Sequence, residues 1–325
     1  MNDVWALVPK HHQPDRKVCI FISTLVSTLV FNKIKLENKA LFEQLLAKGH
    51  RGALEYNFTS NFIWREIYKL KFARFEDSLI VMSNEEDPSF IFPSGMDDVV
   101  PAVRAIADYV AARNQPLVFN TLLNEDRDKL EAAFPGKFLI EPDRKDYDYV
   151  YESKRLISLS GKKLSGKRNH INRFMVQTRD WRYEPVTREN IDEVHEMSLE
   201  WCRQAGCRDN EELFDESCAV EQAFKHFFDL DLEGGLIRAD GRVIAFSMGQ
   251  PLNDTTYLIH IEKAYHDIQG AYQLINQQFA AANCEHFQYI NREDDSGDEG
   301  LRRAKLSYDP AFLVEKSSAT LIKPL

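Results

Sequence analysis

The second half of the chain carries the clearest pattern of apolar and polar positions. Ile191, Val194, Met197 and Trp201 recur at helical spacing. Residues 183–207 are therefore predicted to open as a strand and become a helix near Glu189. A further helix is predicted over residues 218–228. The period then falls to two. Residues 234–239 read as a strand, Asp240-Gly241 as a tight hairpin turn, and residues 243–250 as the return strand. A turn at Leu252-Asn253-Asp254 leads to a third strand over 255–263. A loop over 265–270 precedes a helix over 271–282 and a strand over 287–291. A polar loop over 294–300, a short helix over 301–307 and one or two closing strands within 312–322 complete the order. This is a mixed α/β succession, in which an antiparallel meander turns parallel where a helix crosses over.

The first half repeats this order more faintly. Residues 38–48 are helical, while 57–62 and 64–72 fit no single period. Residues 77–82 and 89–92 form a strand pair. Residues 97–113 form an amphipathic helix with Val100, Val103, Ile106, Ala107 and Val110 on one face. A strand over 116–121, a helix over 125–133 and a strand region over 138–151 follow. The letters do not repeat, so the duplication is one of fold. The expected division is an N-terminal extension over 1–34, a first unit over 35–150 and a second over 151–325. Residues 18–31 are almost continuously apolar, yet fall short of the roughly 20 residues that span a bilayer. They read as a buried β segment or an extension outside the fold, with membrane targeting as the lesser alternative. No integral membrane domain is expected.

Composition changes the picture in three ways. The 325 residues are 44% hydrophobic, enough for two cores. The net charge of −10 excludes a protein that coats nucleic acid non-specifically, so no DNA partner is expected, although a local basic patch remains open. The five cysteines are odd in number and show no metal-ligand spacing. They read as free thiols in a reducing, cytoplasmic compartment. No metal site is expected, and no nucleophile elbow, H-E-x-x-H or Walker A loop is present.

Five places could carry chemistry. Gln269-Gly270-Ala271 opens a helix after a strand, where free backbone N–H groups attract phosphate; a plain helix-entry glycine is the alternative. His260 and Glu262 alternate on one strand face, with Lys263 on the other. Glu262 could take a proton from an attacking amine, or form an ordinary ion pair. Asn291, Arg292, Glu293 and Asp294 follow directly on an apolar strand, where Arg292 could clamp an anion and the others could orient substrate. Tyr308 could protonate a leaving group, with Lys305 as an anion contact, or merely cap the core. The basic stretch over 160–173, with Lys163, Lys167 and Arg168, could contact nucleic-acid phosphates or another anion, or be a solvated helix.

These motifs together resemble a known family. Lys162-Lys163, Lys167-Arg168-Asn169, Glu262-Lys263-Ala264, Gly270-Ala271-Tyr272, Tyr289-Ile290-Asn291-Arg292-Glu293-Asp294 and Gly300-Leu301-Arg302-Arg303-Ala304-Lys305-Leu306-Ser307-Tyr308 are similar to those of uncharacterised bacterial proteins related to the C-terminal domain of phosphatidylglycerol lysyltransferase. The resemblance covers residues 35–316. It implies two tandem acetyltransferase-like (GNAT) domains and an acyl- or aminoacyl-transferase acting on an amine or hydroxyl. The donor would be aminoacyl-tRNA or acyl-CoA, with no further cofactor required. The acceptor would be a small molecule, a peptide or a lipid head group, and a monomer would suffice. In acetyltransferases the turn before the equivalent helix holds a pyrophosphate; here Asp267 and Tyr272 depart from that pattern. The alternative is a non-catalytic binding protein that kept the fold.

Overall fold

The computed structural model describes residues 29–49, 52–95 and 98–325. The apolar run over 18–28 and the extension before it lie outside the described residues. Leu29 is already buried, and Phe31 packs edge-on against Tyr109.

The first part of the chain runs β1 (Asn32–Lys33), α1 (Lys39–Leu46), α2 (Phe58–Trp64), β2 (Lys71–Phe75), β3 (Ser78–Ser83), β4 (Ser89–Ile91), α3 (Val100–Ala111), β5 (Val118–Leu123), α4 (Asn124–Ala133) and β6 (Phe138–Pro142). The second part runs β7 (Asp148–Glu152), α5 (Ser153–Ser158), α6 (Ser165–Gln177), β8 (Trp181–Pro185), α7 (Ile191–Ala205), α8 (Glu211–Lys225), β9 (Glu233–Ala239), β10 (Arg242–Pro251), β11 (Thr256–Ala264), α9 (Ala271–Asn283), β12 (Tyr289–Asn291), α10 (Glu299–Leu306), β13 (Phe312–Val314) and β14 (Lys316–Leu321). Local chemistry sets several boundaries. Asp240 and Gly241 both have positive φ, as a two-residue hairpin turn that follows strand twist requires. The Asn210 side chain accepts the Leu213 N–H and caps α8, which begins earlier than residue 218. Gly206, at φ 73°, ends α7.

The elements form two mixed sheets. The first has the order β1-β2-β3-β4-β5-β14-β6 and the second β13-β7-β12-β11-β10-β9-β8. Each contains one parallel step, β4 beside β5 and β11 beside β12, and each step spans a helix crossover. The duplication expected from the order of elements is therefore visible as topology. It has a further feature: β7 leaves β6 and enters the second sheet between β12 and β13. In return β14 leaves β13 and enters the first sheet between β5 and β6. The two sheets thus exchange strands reciprocally.

The packing makes one unit of them. Phe42, Phe58 and Phe62, from α1 and α2, share a continuous core with Phe224, Phe246 and Tyr257 of the second part. Phe62 meets His226 edge-on, and Arg65 donates to Gln222 on α8. One expectation is corrected. Cys202 and Cys207 form a disulfide, because Gly206 turns the chain back at the end of α7 and brings the two Cα atoms within 5.4 Å. Cys218 and Cys284 are free.

Candidate functional site

β11 and β12 pair only through Thr256–Tyr289, Tyr257–Ile290 and Leu258–Asn291. Beyond that point β11 continues while β12 ends, so the sheet opens into a fork. A bulge sharpens it. On β10, Met248 pairs with Ile261 and Gly249 with Ile259, which leaves His260 as the extra residue. Gly249 permits this crowding: a Cβ there would meet the Leu258 carbonyl oxygen at 2.4 Å.

Side chains from six elements or their ends converge in the fork. Glu262 Oε1 accepts from Arg292 Nη2 at 2.8 Å, and Oε2 from Asn276 Nδ2 on α9 at 2.9 Å. The Arg292 guanidinium carbon lies 4.8 Å from the Tyr308 ring centre and 5.7 Å from that of Tyr151. Lys167 reaches in from α6: its Nζ lies 4.0 Å over the Tyr308 ring and donates to Ser307 Oγ at 2.6 Å. Glu262 and Arg292 side chains are only 11% and 12% exposed. Two buried atoms here have no partner, Arg292 Nη1 and Asn276 Oδ1. Unsatisfied buried polar atoms are uncommon and costly, and gathered at one place they fit a site that a ligand completes.

The electrostatics follow from burial. Burial opposes the charge of Arg292, but Glu262 and the two phenols outweigh it, so its pKa lies above the ordinary value. Burial pushes the Tyr308 phenol up, so it stays protonated and able to donate. Burial, then the Arg292 charge, lowers Lys167 to about 8. The fork thus gathers one carboxylate and two cationic groups.

The remaining sequence candidates fall into distinct settings. Asn291 is fully buried and committed: Nδ2 donates to Gly52 O and Asp148 Oδ2, and Oδ1 accepts the Glu293 N–H. Lys305 is equally committed, its ammonium donating to the carbonyls of Arg292 and Asp294, and burial lowers its pKa. Both hold the strand end in place rather than facing open space. Asp294 caps a turn through Ser296. Glu293 Oε1 lies within hydrogen-bond distance of His260 Nδ1, at 2.9 Å, and burial raises the Glu293 pKa against the pull of His260. Lys263 lies on the opposite face, over Trp201 and paired with Glu216 at 2.6 Å.

Gln269-Gly270-Ala271 does stand at the start of α9. A Cβ on Gly270 would meet the His170 carbonyl oxygen of α6 at 2.4 Å. That close approach accounts for the glycine, and α6 occupies the space over the turn. In the basic stretch, Lys163 pairs with Asp309, and Arg168 donates to the carbonyls of Leu159 and Gly161 beyond α5. Lys162, Lys163 and Arg173 are the exposed basic residues of this stretch, and of these Lys163 is the one paired with Asp309. Sequence reasoning gave no site role to Asn276, which stands in a motif of the family resemblance, or to Tyr151, and missed the inward role of Lys167. Asn276 could have been found as a polar residue on the apolar face formed by Leu274, Ile275 and Phe279.

Two concavities lie elsewhere. One of about 330 Å³ separates the halves, between Lys39, Glu43 and Asn57 on one side and Asp231, Gln250 and Asn253 on the other. The other, about 320 Å³, lies between α7 and α8, with Lys263 among its lining residues. Neither is lined by Glu262, Arg292 or Tyr308, so size alone does not mark the fork, where buried chemistry does.

Residues 47–320 match the family described as phosphatidylglycerol lysyltransferase, C-terminal. The chain belongs to this family. A conserved protein of unknown function from Bacteroides thetaiotaomicron is 34% identical, with a TM-score of 0.86 over 90% of this chain and 100% of the other. L-PGS from Bacillus licheniformis shares the fold: the TM-score is 0.59 at 16% identity, over 88% of this chain and 93% of the other. An uncharacterized protein of Mycoplasmoides gallisepticum is 25% identical over 240 residues, which cover 68% of this chain and 76% of that protein. No helix among the described residues is long and apolar enough to cross a membrane.

Proposed function

We propose that this family member transfers an acyl or aminoacyl group to an amine or hydroxyl acceptor, and that the β11–β12 fork is its reaction site. One observation carries the reading: Arg292 Nη1 and Asn276 Oδ1 are buried and unpartnered beside a phenol that stays protonated. Acyl transfer builds negative charge on a carbonyl oxygen. Arg292 and Tyr308 are donors suited to receive it. Glu262 already holds Arg292 and Asn276 with its two oxygens, so its role is to fix the guanidinium. Lys167, with its pKa near 8, is available to an anionic or proton-bearing group of the donor.

Between the two donors, the departures Asp267 and Tyr272 at the turn, together with α6 packed against Gly270, favour aminoacyl-tRNA over acyl-CoA. The exposed Lys162 and Arg173 would meet tRNA phosphates. The test is a melting scan with coenzyme A, acetyl-CoA and longer acyl-CoAs, beside a binding titration with aminoacyl-tRNA. A ligand at 100 times its Kd adds about 2.7 kcal/mol to stability. We expect no shift with the thioesters, and tRNA binding whose logarithmic salt slope falls by about 1.5 in Lys162→Ala/Arg173→Ala. A clear shift with an acyl-CoA would reassign the donor. Binding of any of these ligands without turnover would favour a binding protein that kept the fold.

A further inference from the structure

A line of polar contacts runs from the first sheet to His260, two residues before Glu262 on β11. It begins at Lys316, the first residue of the exchanged strand β14, whose side chain is fully buried. Its ammonium lies 2.8 Å from Glu55 Oε1 and 2.6 Å from Asp148 Oδ1, and Asp148 opens the other exchanged strand, β7. Asp148 Oδ2 accepts from Asn291 Nδ2 at 2.9 Å and from the Leu54 N–H at 3.0 Å. Asn291 Oδ1 accepts the Glu293 N–H at 2.7 Å. Glu293 Oε1 then meets His260 Nδ1 at 2.9 Å. Glu293 has φ 58°, a left-handed conformation unfavourable for a glutamate, and it is held there by the Asn291 side chain and by the Tyr149 N–H, which donates to the Glu293 carbonyl.

The line ends at an open atom. His260 is the bulged residue of β11, its side chain is 1% exposed, and its Nε2 is buried with no partner. When ionised, Glu293 fixes the proton on Nδ1 and leaves Nε2 as an acceptor. Each Glu262 oxygen already accepts one hydrogen bond, from Arg292 and Asn276, whereas Nε2 accepts none.

We infer that His260 Nε2, two residues from Glu262 on β11 and tied to Glu293, the residue after Arg292, is the proton acceptor of the transfer, and that Glu293, Asn291, Asp148 and Lys316 are positioning residues that set its tautomer from the strand exchange. The catalytic part of this rests on the transferase reading; the tautomer does not. In the step, the acceptor O–H or N–H gives its proton to Nε2 as its lone pair bonds to the donor carbonyl carbon. The bond from that carbon to the donor oxygen or sulfur then breaks, and the imidazolium returns the proton to the leaving atom. No oxidant or further reactant is needed.

The tautomer can be read directly from the ring nitrogen signals of His260 in ¹⁵N-labelled protein, above the titration of the imidazole. His260→Gln assigns the signals. We expect the Nδ1–H form in the native chain. Lys316→Met and Asn291→Ser should both move it towards the Nε2–H form, and Lys316→Arg should preserve it. Should Lys316→Met fail to fold, Asn291→Ser interrupts the same line one link nearer and decides alone. A native Nε2–H form, as arises if Glu293 donates to Nδ1, overturns the inference. So does an unchanged tautomer in the interrupted variants. Once a transfer assay exists, His260→Ala should lower its rate about 10²–10⁴-fold. Transfer that survives this change within about tenfold removes the catalytic role, whereas a fixed tautomer with no transfer of any donor counts against the transferase reading.

Discussion

The Glu262–Arg292 pair offers the sharpest test that the fork is a dry, preorganised site. At 2.8 Å and an effective dielectric constant near 20, the two charges attract by about 6 kcal/mol. Desolvating each ion costs several kcal/mol, so the intact pair is close to neutral for stability. Deleting one partner is different, because the other stays buried with its cost uncompensated. Glu262→Gln keeps the shape and the Asn276 contact but leaves the guanidinium without its carboxylate. Arg292→Met leaves Glu262 with Asn276 alone. Each single change should cost about 3–5 kcal/mol. The double variant should cost less than the sum by about 3 kcal/mol, since it leaves neither charge behind. Urea unfolding at pH 7, followed by fluorescence and circular dichroism together, measures all four corners of the cycle. Single changes below about 1 kcal/mol that add without coupling would mean that water reaches the pair. Arg292 would then lose its claim as a preorganised donor, and the proposed site with it.

Two further outcomes follow from the same electrostatics. Asp295 is fully buried; burial would raise its pKa, but hydrogen bonds from Arg302, Tyr149 and the Gly297 N–H lower it to about 2. A depressed carboxyl stabilises the fold above its unfolded value near 3.8 and loses that contribution as pH falls through 2. The native chain should therefore lose about 2 kcal/mol more than Asp295→Asn between pH 4 and 2; parallel acid-unfolding curves would contradict this. Lys167, lowered to about 8, should be modified by an amine-reactive acyl reagent at pH 8 ahead of exposed lysines such as Lys162, as read by peptide mass spectrometry. Modification that spares Lys167 while Lys162 reacts would show that its amine is not available.

Much of the fold was legible because periodicity reports burial. The meander of β9, β10 and β11 was readable from its alternation and from Asp240-Gly241, and the amphipathic α3 and α7 from their spacing. β2 was not, since Lys71–Phe75 buries the adjacent Phe72 and Ala73 and so breaks the period-two pattern. At the site, Glu262, Arg292 and Tyr308 were nominated for standing at strand and helix ends, and the fork brings them together. Asn291, Glu293 and Lys305 were nominated for the same reason, yet their polar atoms turn inward to hold the strand end. Residue type and sequence position do not distinguish a polar group facing a ligand from one facing a carbonyl. Only the count of partners does. Lys167 illustrates the converse: in a run of basic residues it reads as one more surface charge, while its ammonium lies on the Tyr308 ring.

The strand exchange was invisible for a deeper reason. Hydrophobic pattern says that a segment is a strand, not which sheet receives it, because either sheet would bury the same residues. What distinguishes the two receptions here is polar. Asp148 and Lys316 open the two exchanged strands, and they meet at 2.6 Å with no exposed side-chain surface. Burial pushes Glu55 up to about 7; burial would lower the pKa of Lys316, but the neighbouring carboxylates, Asp148 foremost, together raise it. A buried ion pair adds little net stability over an apolar packing, but an unpaired buried charge is costly. If either strand stayed with its own neighbour, Asp148 or Lys316 would lose its partner. The pair therefore acts against the unexchanged arrangement more than it adds to the exchanged one. Because Asp148 also holds Asn291, the contact that selects the topology is the one that fixes the end of β12, where Arg292 enters the fork.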